Sequence, residues 1–162
     1  KHEPSNINSL SNSYIKNIIQ DDNGLFWIGT ESGGVNVFDP KRGSFKRLKG
    51  HDILERGQIT SLTIDKEGSL WVASGTGGVL KFLPKDSTII EYGPAQGLGT
   101  AKVNKLAVNN RGDILVGSQG KGLYVLQKNH KSFDNFRYDK EDNRSINGSF
   151  VNDIFQDSKG RT

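Results

Sequence analysis

The feature that most limits what this chain can fold into is a segment that recurs along it. Ile64-Asp65-Lys66-Glu67-Gly68-Ser69-Leu70-Trp71-Val72-Ala73-Ser74 leads into Gly75-Thr76-Gly77-Gly78-Val79-Leu80-Lys81-Phe82. Upstream lies Gln20-Asp21-Asp22-Asn23-Gly24-Leu25-Phe26-Trp27-Ile28-Gly29-Thr30, closed by Gly33-Gly34-Val35-Asn36-Val37-Phe38. Downstream lies Asn109-Asn110-Arg111-Gly112-Asp113-Ile114-Leu115-Val116-Gly117-Ser118, closed by Gly122-Leu123-Tyr124-Val125-Leu126, and a fourth copy begins at Gln156-Asp157-Ser158-Lys159-Gly160. The turn glycines Gly24, Gly68, Gly112 and Gly160 are 44, 44 and 48 residues apart. A repeat this long must be a supersecondary unit.

Each apolar run within a copy holds about four to eight residues, is rich in Val, Ile, Leu and aromatics, and is bounded by Gly or Asp/Asn, the pattern of β-strands. One unit reads as an inner strand over Ile59 to Ile64, a tight turn at Asp65 to Gly68, and strands over Leu70 to Ser74, Val79 to Phe82 and Ile89 to Tyr92. Four antiparallel strands in a repeat of about 40 to 50 residues is the signature of a β-propeller blade, whereas solenoid repeats are usually shorter or helical. The fold class is therefore all-β: a propeller fragment of three four-stranded antiparallel blades, near 9–52, 53–96 and 97–144, plus the inner strand of a fourth within 145–162. Inner strands are predicted near residues 14–20, 58–64, 102–108 and 150–156, and no helix is predicted. A closed propeller takes about four to eight blades. The chain is therefore expected to be cut from something longer, and its open flanks to bring two or more copies together.

Glycine, 20 of 162 residues, suits many tight turns. The net charge of +4 is spread along the chain without a run of like charges, which leaves no nucleic-acid tail. Absence of cysteine excludes disulfides and thiolate metal sites, and no apolar run approaches 18 residues, so any membrane association belongs to the rest of a parent chain.

The recurring Asp or Asn before each turn glycine has a local task. Its side chain accepts from backbone N–H groups two or more residues on, while glycine takes positive φ. Asp21, Asp65, Asn109 and Asp157 are thus turn formers. Trp27 and Trp71 occupy matching positions where the third copy has Leu115; leucine can replace tryptophan only if packing between blades is the task, which places both in the core. Polar inner-strand residues at equivalent positions, Asn17, Ser61, Lys105 and Asp153, are expected to face the central channel. The glycine-rich stretches at 75–78 and 117–122 match no phosphate loop and open no helix. His2, His51 and His130 lie apart without a second ligand at metal spacing, and 139–143 lacks the glycine and distal glutamate of a calcium loop. No catalytic constellation, metal site or cofactor motif emerges. Asn143-Arg144-Ser145 and Asn147-Gly148-Ser149 are formal glycosylation sequons of the kind that arise by chance in Asn/Ser-rich linkers.

Ser9-Leu10-Ser11-Asn12-x-x-Ile15, then Ile18-Ile19-Gln20-Asp21-x-x-Gly24-x-x-Trp27-Ile28-Gly29-Thr30, then Gly33-Gly34-Val35, resembles the two-component regulator propeller repeat. The resemblance extends over nearly the whole chain, with departures at Ala73 and Leu115. It implies the extracytoplasmic, periplasmic sensor region of a hybrid two-component histidine kinase, a non-enzymatic segment that senses glycan-derived oligosaccharides and signals to a cytoplasmic kinase. Streptogramin-inactivating lyases are similar propellers and would make the chain an enzyme; a scaffold propeller is the remaining class. Propeller ligands collect where the loops before the inner strands meet the second-to-third strand turns. Those loops gather Tyr14, Glu31, Arg56, Gln58, Thr76, Lys102, Gln119 and Lys121. Arg56, Lys102 and Lys121 are the candidate cations for an acidic sugar or sulfate, and Tyr14 the candidate stacking face.

Overall fold

The structure, a computed structural model, describes residues Lys1–Thr162. It contains three four-stranded antiparallel sheets in which each strand pairs with its sequence neighbour, the architecture the repeat predicts. Blade one comprises β1 (Ile15–Gln20), β2 (Phe26–Thr30), β3 (Val35–Asp39) and β4 (Ser44–Arg47); blade two comprises β5 (Ile59–Ile64), β6 (Leu70–Ser74), β7 (Val79–Leu83) and β8 (Thr88–Tyr92). Blade three comprises β9 (Val103–Val108), β10 (Ile114–Ser118), β11 (Leu123–Leu126) and β12 (Asp134–Phe136). Residues 150–156, the expected fourth inner strand, pair with no strand. They are held to blade three by Val151 N–H donating to the Ser118 carbonyl at 3.0 Å, next to a bond from Gly122 N–H to the Ser149 carbonyl at 2.8 Å.

Each blade is pinned at the turn between its first two strands. Asp65 Oδ1 accepts from Glu67 N–H at 3.1 Å and Ser69 N–H at 2.8 Å, while Oδ2 accepts the Trp71 indole N–H at 2.9 Å. Asp21 does the same for Asn23, Leu25 and Trp27. One carboxylate therefore fixes both the backbone of the turn and the orientation of the tryptophan six residues later. Blade three has no indole at this point, and the turn residue is the amide Asn109. Its Nδ2 donates to Asp113 Oδ2 at 2.8 Å, filling the role with reversed polarity.

The tryptophans are core, 4% exposed at Trp27 and 2% at Trp71. Trp27 meets Phe82 of blade two edge-on, with ring centroids 6.0 Å apart. Two hydrophobic clusters result, one at each junction. Trp27, Ile59, Leu62, Leu70 and Phe82 belong to the first, and Trp71, Val79, Val103, Ile114 and Leu126 to the second. Blades approach so closely that a Cβ on Gly29 would stand 2.5 Å from Cγ2 of Ile59.

Two departures from the expected architecture concern the linkers and the inner strands. A short helix, α1 (Asp52–Arg56), caps the junction between blades one and two. His51 Nδ1 accepts from Ile53 N–H at 3.2 Å, Asp52 and Glu55 occupy the first turn, and fully buried Leu54 plugs the space below. Gly34, at φ 63°, lies under this helix, where a Cβ would collide with the Leu54 carbonyl. A 3-10 turn at Pro94–Gln96 occupies the matching linker, with Leu98 buried in the place of Leu54. Five residues are too few to display a 3.6-residue period, so the helix left no mark in the sequence pattern. The second departure is a bulge at the same place in every inner strand, between Ile15 and Asn17, Ile59 and Ser61, and Val103 and Lys105.

The repeat register also identifies the bare faces. Leu70, Phe82 and Ile89 of blade two pack against blade one, and their counterparts in blade one, Phe26, Phe38 and Phe45, stack on one another with no blade above them. At the opposite flank Phe155 is 79% exposed.

Three outcomes are expected. Trp71→Ala should cost about 3–5 kcal/mol in thermal or denaturant melting, as a large-to-small core change. The second concerns acid stability. Burial acts to raise the Asp65 carboxyl pKa, but hydrogen bonds from Lys81, Trp71 and Ser69 outweigh it and hold the value below the usual range. A group depressed in the folded state contributes its full stability above the unfolded carboxylate pKa and loses it as pH falls through the lower folded value. Acid titration of stability in the wild-type chain should show this loss, and Asp65→Asn should be less stable at neutral pH and lack that component. Third, we propose that second copies of the chain cover the two bare flanks, because both are apolar and one was built to receive a blade. Light scattering should then give assemblies above the 17.8 kDa chain mass; a monodisperse monomer at high concentration would refute this.

Candidate functional site

The loops before the inner strands and the turns between second and third strands meet at one end of the molecule. Glu31 N–H donates to the Tyr14 carbonyl, Gly75 N–H to the Gln58 carbonyl and Gln119 N–H to the Lys102 carbonyl, each at 2.9 Å. Gly34 N–H reaches across to the Gly57 carbonyl of the next blade at 3.1 Å. The β-bulges lie directly below this rim. A bulge sets two residues of one strand against one of its partner and re-aims a side chain; the extra residues here are Lys16, Thr60 and Asn104.

Of Asn17, Ser61, Lys105 and Asp153, the residues expected to face the channel, Ser61 is buried and meets no solvent, Asp153 is exposed, and all four join inner strand to inner strand. Asn17 Oδ1 accepts from Leu62 N–H at 3.2 Å, and Ser61 Oγ, fully buried, accepts from Leu106 N–H at 3.0 Å. Lys105 Nζ pairs with Asp153 at 2.7 Å, which lowers the Asp153 pKa through that bond.

At the rim the bulge residues enter a polar network. Lys16 Nζ lies 2.5 Å from Glu31 Oε2, and Gln58 Nε2 donates to Glu31 Oε1 at 2.6 Å, so one carboxylate ties blade one to blade two. Asn104 Nδ2 donates to the Val151 carbonyl and to Asn152 Oδ1, both at 3.2 Å. Thr60 Oγ1 is buried without a hydrogen-bond partner. None of Lys16, Thr60 and Asn104 stood out in the sequence, because their side chains differ from copy to copy.

The four residues singled out from the sequence all sit on this rim, but they do not touch one another through hydrogen bonds or ion pairs. Tyr14 is 73% exposed. Lys102 and Lys121 are exposed and form no ion pair. Arg56 is not the free loop cation expected: it lies in the last turn of α1, with Nη2 2.6 Å from Asp52 Oδ1 one turn earlier. Phe150, 64% exposed, stands at the position equivalent to Tyr14, Gln58 and Lys102, and gives the rim a second aromatic. The arrangement supplies donors, acceptors and two aromatic faces on an open surface, a set suited to binding a polar, extended ligand.

Two of the cavities in the structure concern the site. One, about 400 Å³, runs from Phe150 at the rim along the flank beside Leu123, Ile146 and Ile154. The other, about 300 Å³, lies between blades two and three at the end that carries the Asp turns. The histidines are dispersed: His2 Nδ1 donates to the Leu10 carbonyl at 2.6 Å, His51 caps α1, and His130 borders the second cavity. No three His, Cys, Asp or Glu side chains converge as metal ligands, and no helix is long and apolar enough to cross a membrane.

Residues 9–32 match the family model of the two component regulator propeller. Among solved structures, the chain is similar to the extracellular domain of BT4673 from B. thetaiotaomicron, described as a hybrid two component system, with 23% identity and a TM-score of 0.77 over 94% of this chain and 20% of that one. The extracellular domain of BT3049 from the same organism, described likewise, matches at 15% identity and a TM-score of 0.53 over 98% of this chain and 26% of that one. Virginiamycin B lyase from Staphylococcus aureus matches at 13% identity and a TM-score of 0.64 over 82% of this chain and 44% of that one. The chain thus spans about a fifth of the length of the BT4673 domain it resembles. No curated protein matches it.

Proposed function

We propose that the chain is a ligand-sensing propeller segment of the periplasmic part of a hybrid two-component sensor, detecting oligosaccharides derived from glycans and passing the signal to a cytoplasmic kinase. The observation that carries this reading is the regulator-propeller repeat at residues 9–32, within a fold similar over 94% of the chain to the extracellular domain of a protein described as such a system. The rim supports it chemically. Tyr14 offers a ring face for a sugar, and Lys102 and Lys121 offer ammonium groups free of internal partners for a carboxylate or sulfate substituent. Arg56 joins them when a ligand anion competes with Asp52 for its guanidinium.

The similarity to virginiamycin B lyase favours a second reading, a propeller enzyme acting at the channel. That chemistry would need a general base beside the reacting atoms, and the three histidines here are separated, two of them engaged with the backbone. A scaffold propeller would need no rim chemistry at all.

Binding of a panel of neutral and acidic oligosaccharides to the complete sensor would separate these readings. The sensor reading expects at least one saturable ligand, and Lys102→Ala with Lys121→Ala should weaken an acidic one by about tenfold or more, as loss of charge-assisted hydrogen bonds. Unchanged affinity in the double variant would remove these lysines from the site, and turnover of a ligand would favour the enzyme.

A further inference from the structure

The three blades share one backbone plan, so a position at which one blade departs from the other two marks a demand that folding alone does not make. Such departures meet at one place, the cavity between blades two and three. Lys81 is the first. It pairs across the sheet with Trp71, and the corresponding partners in blades one and three are Val37 with Trp27 and Val125 with Leu115. Valine satisfies this site twice, and a lysine side chain only 21% exposed costs desolvation. Tyr92 is the second: it brings a hydroxyl to its pairing with Val79, where blade one has the purely apolar Leu48 beside Val35 and blade three has Phe136 opposite Leu123. The third is Leu126. Its counterpart Phe82 closes the junction of blades one and two against Trp27, and the smaller leucine leaves the second junction open. The result is the cleft of about 300 Å³.

The chemistry of this cleft is asymmetric. Asp65 is spent, since its two oxygens accept from two backbone N–H groups, the Trp71 indole and Lys81. Glu67 is engaged by Lys128 at 2.8 Å. Lys81 Nζ has a single acceptor, Asp65 Oδ2 at 2.9 Å, and an ammonium carries three donors, so two remain available at the cleft. The Tyr92 hydroxyl takes no hydrogen bond from the chain, while its ring tilts against Trp71 with centroids 5.1 Å apart. His130 and Lys128 border the opening, and Ile114 and Leu126 supply an apolar wall.

We infer that the cleft between blades two and three is a binding site for a small organic anion, its oxyanion held by Lys81 and the Tyr92 hydroxyl and its apolar body lying against Tyr92, Ile114 and Leu126. Pockets of about this volume and above accommodate small molecules. A charge-assisted bond to an ammonium in a recess is stronger than a neutral one and less screened than a surface pair. The site is separate from the rim and does not rest on the glycan-sensing reading.

Benzoate is a suitable probe, and benzyl alcohol its uncharged counterpart. Titration of the 162-residue chain should give saturable amide shifts centred on Lys81, Tyr92 and Gly112 with benzoate, and binding about tenfold weaker or worse with benzyl alcohol. Lys81→Val installs the residue of both sister blades and should abolish benzoate binding in a chain that still folds, with a lower melting temperature because Asp65 loses the cation that holds its carboxyl pKa down; Lys81→Gln, which keeps the length and removes the charge, should also abolish it. Lys102→Ala with Lys121→Ala should bind benzoate as the unmodified chain does, which keeps a failure here distinct from a failure at the rim. Shifts that do not saturate, equal binding of the alcohol, or retained binding in either Lys81 variant would overturn the proposal.

Discussion

The fold depends on a single carboxylate used twice. In blades one and two the turn aspartate accepts backbone N–H groups with one oxygen and an indole N–H with the other. Turn closure and tryptophan placement therefore cannot vary independently: a blade that rotates its tryptophan loses an acceptor for a buried donor, which costs about 1–3 kcal/mol. Blade three makes the dependence visible. Where leucine replaces tryptophan, the second acceptor has no donor to meet, and the turn residue becomes asparagine with its amide aimed at Asp113. In the incomplete copy, Asp157 gives its free oxygen to Arg161 instead. Four copies thus solve one problem of polar satisfaction in three ways.

That coupling explains how much of the fold could be read beforehand. Spacing of the turn glycines and the period of the apolar runs placed the second-blade strands within a residue of their observed limits, because the limits at Ile64, Ser74, Val79 and Tyr92 adjoin an Asp or Gly that ends the pairing. The repeated lead-ins at Ser9 and Ser145 were equally legible, and each serine hydroxyl closes its own loop onto Glu3 or Asp139. What escaped were features with no periodic signature. Helix α1 sets Leu54 into the junction of blades one and two, and the bulges are single-residue register shifts, neither of which leaves a periodic trace.

The candidate site was legible only in part. Loop topology placed Tyr14, Arg56, Lys102 and Lys121 at one end, but the ion pair of Arg56 with Asp52 depends on a helix the sequence did not announce. Lys16 and Glu31, the pair that ties the rim together, lie in different strands and turns. The cleft at the other end was hidden in a different way. Its components, Lys81, Tyr92 and Leu126, are single deviations in three separate strands, and each looks like ordinary variation until the blades are stacked.

The stacking itself has a consequence for motion. Blade two lies between two full blades, and β6, like β10, is buried along its whole length, whereas every residue of β1 is at least partly open to water. The main contacts between blades join adjacent ones, β1 and β2 with β5 and then β5 and β6 with β9, as in a column whose links hold nearest neighbours. Such a column melts from its ends, so amide protons of the outer strands exchange through shallow local openings while those of β5 and β6 wait for complete unfolding. The carboxylate of Asp65 and the lysine above it belong to the part of the molecule that opens last.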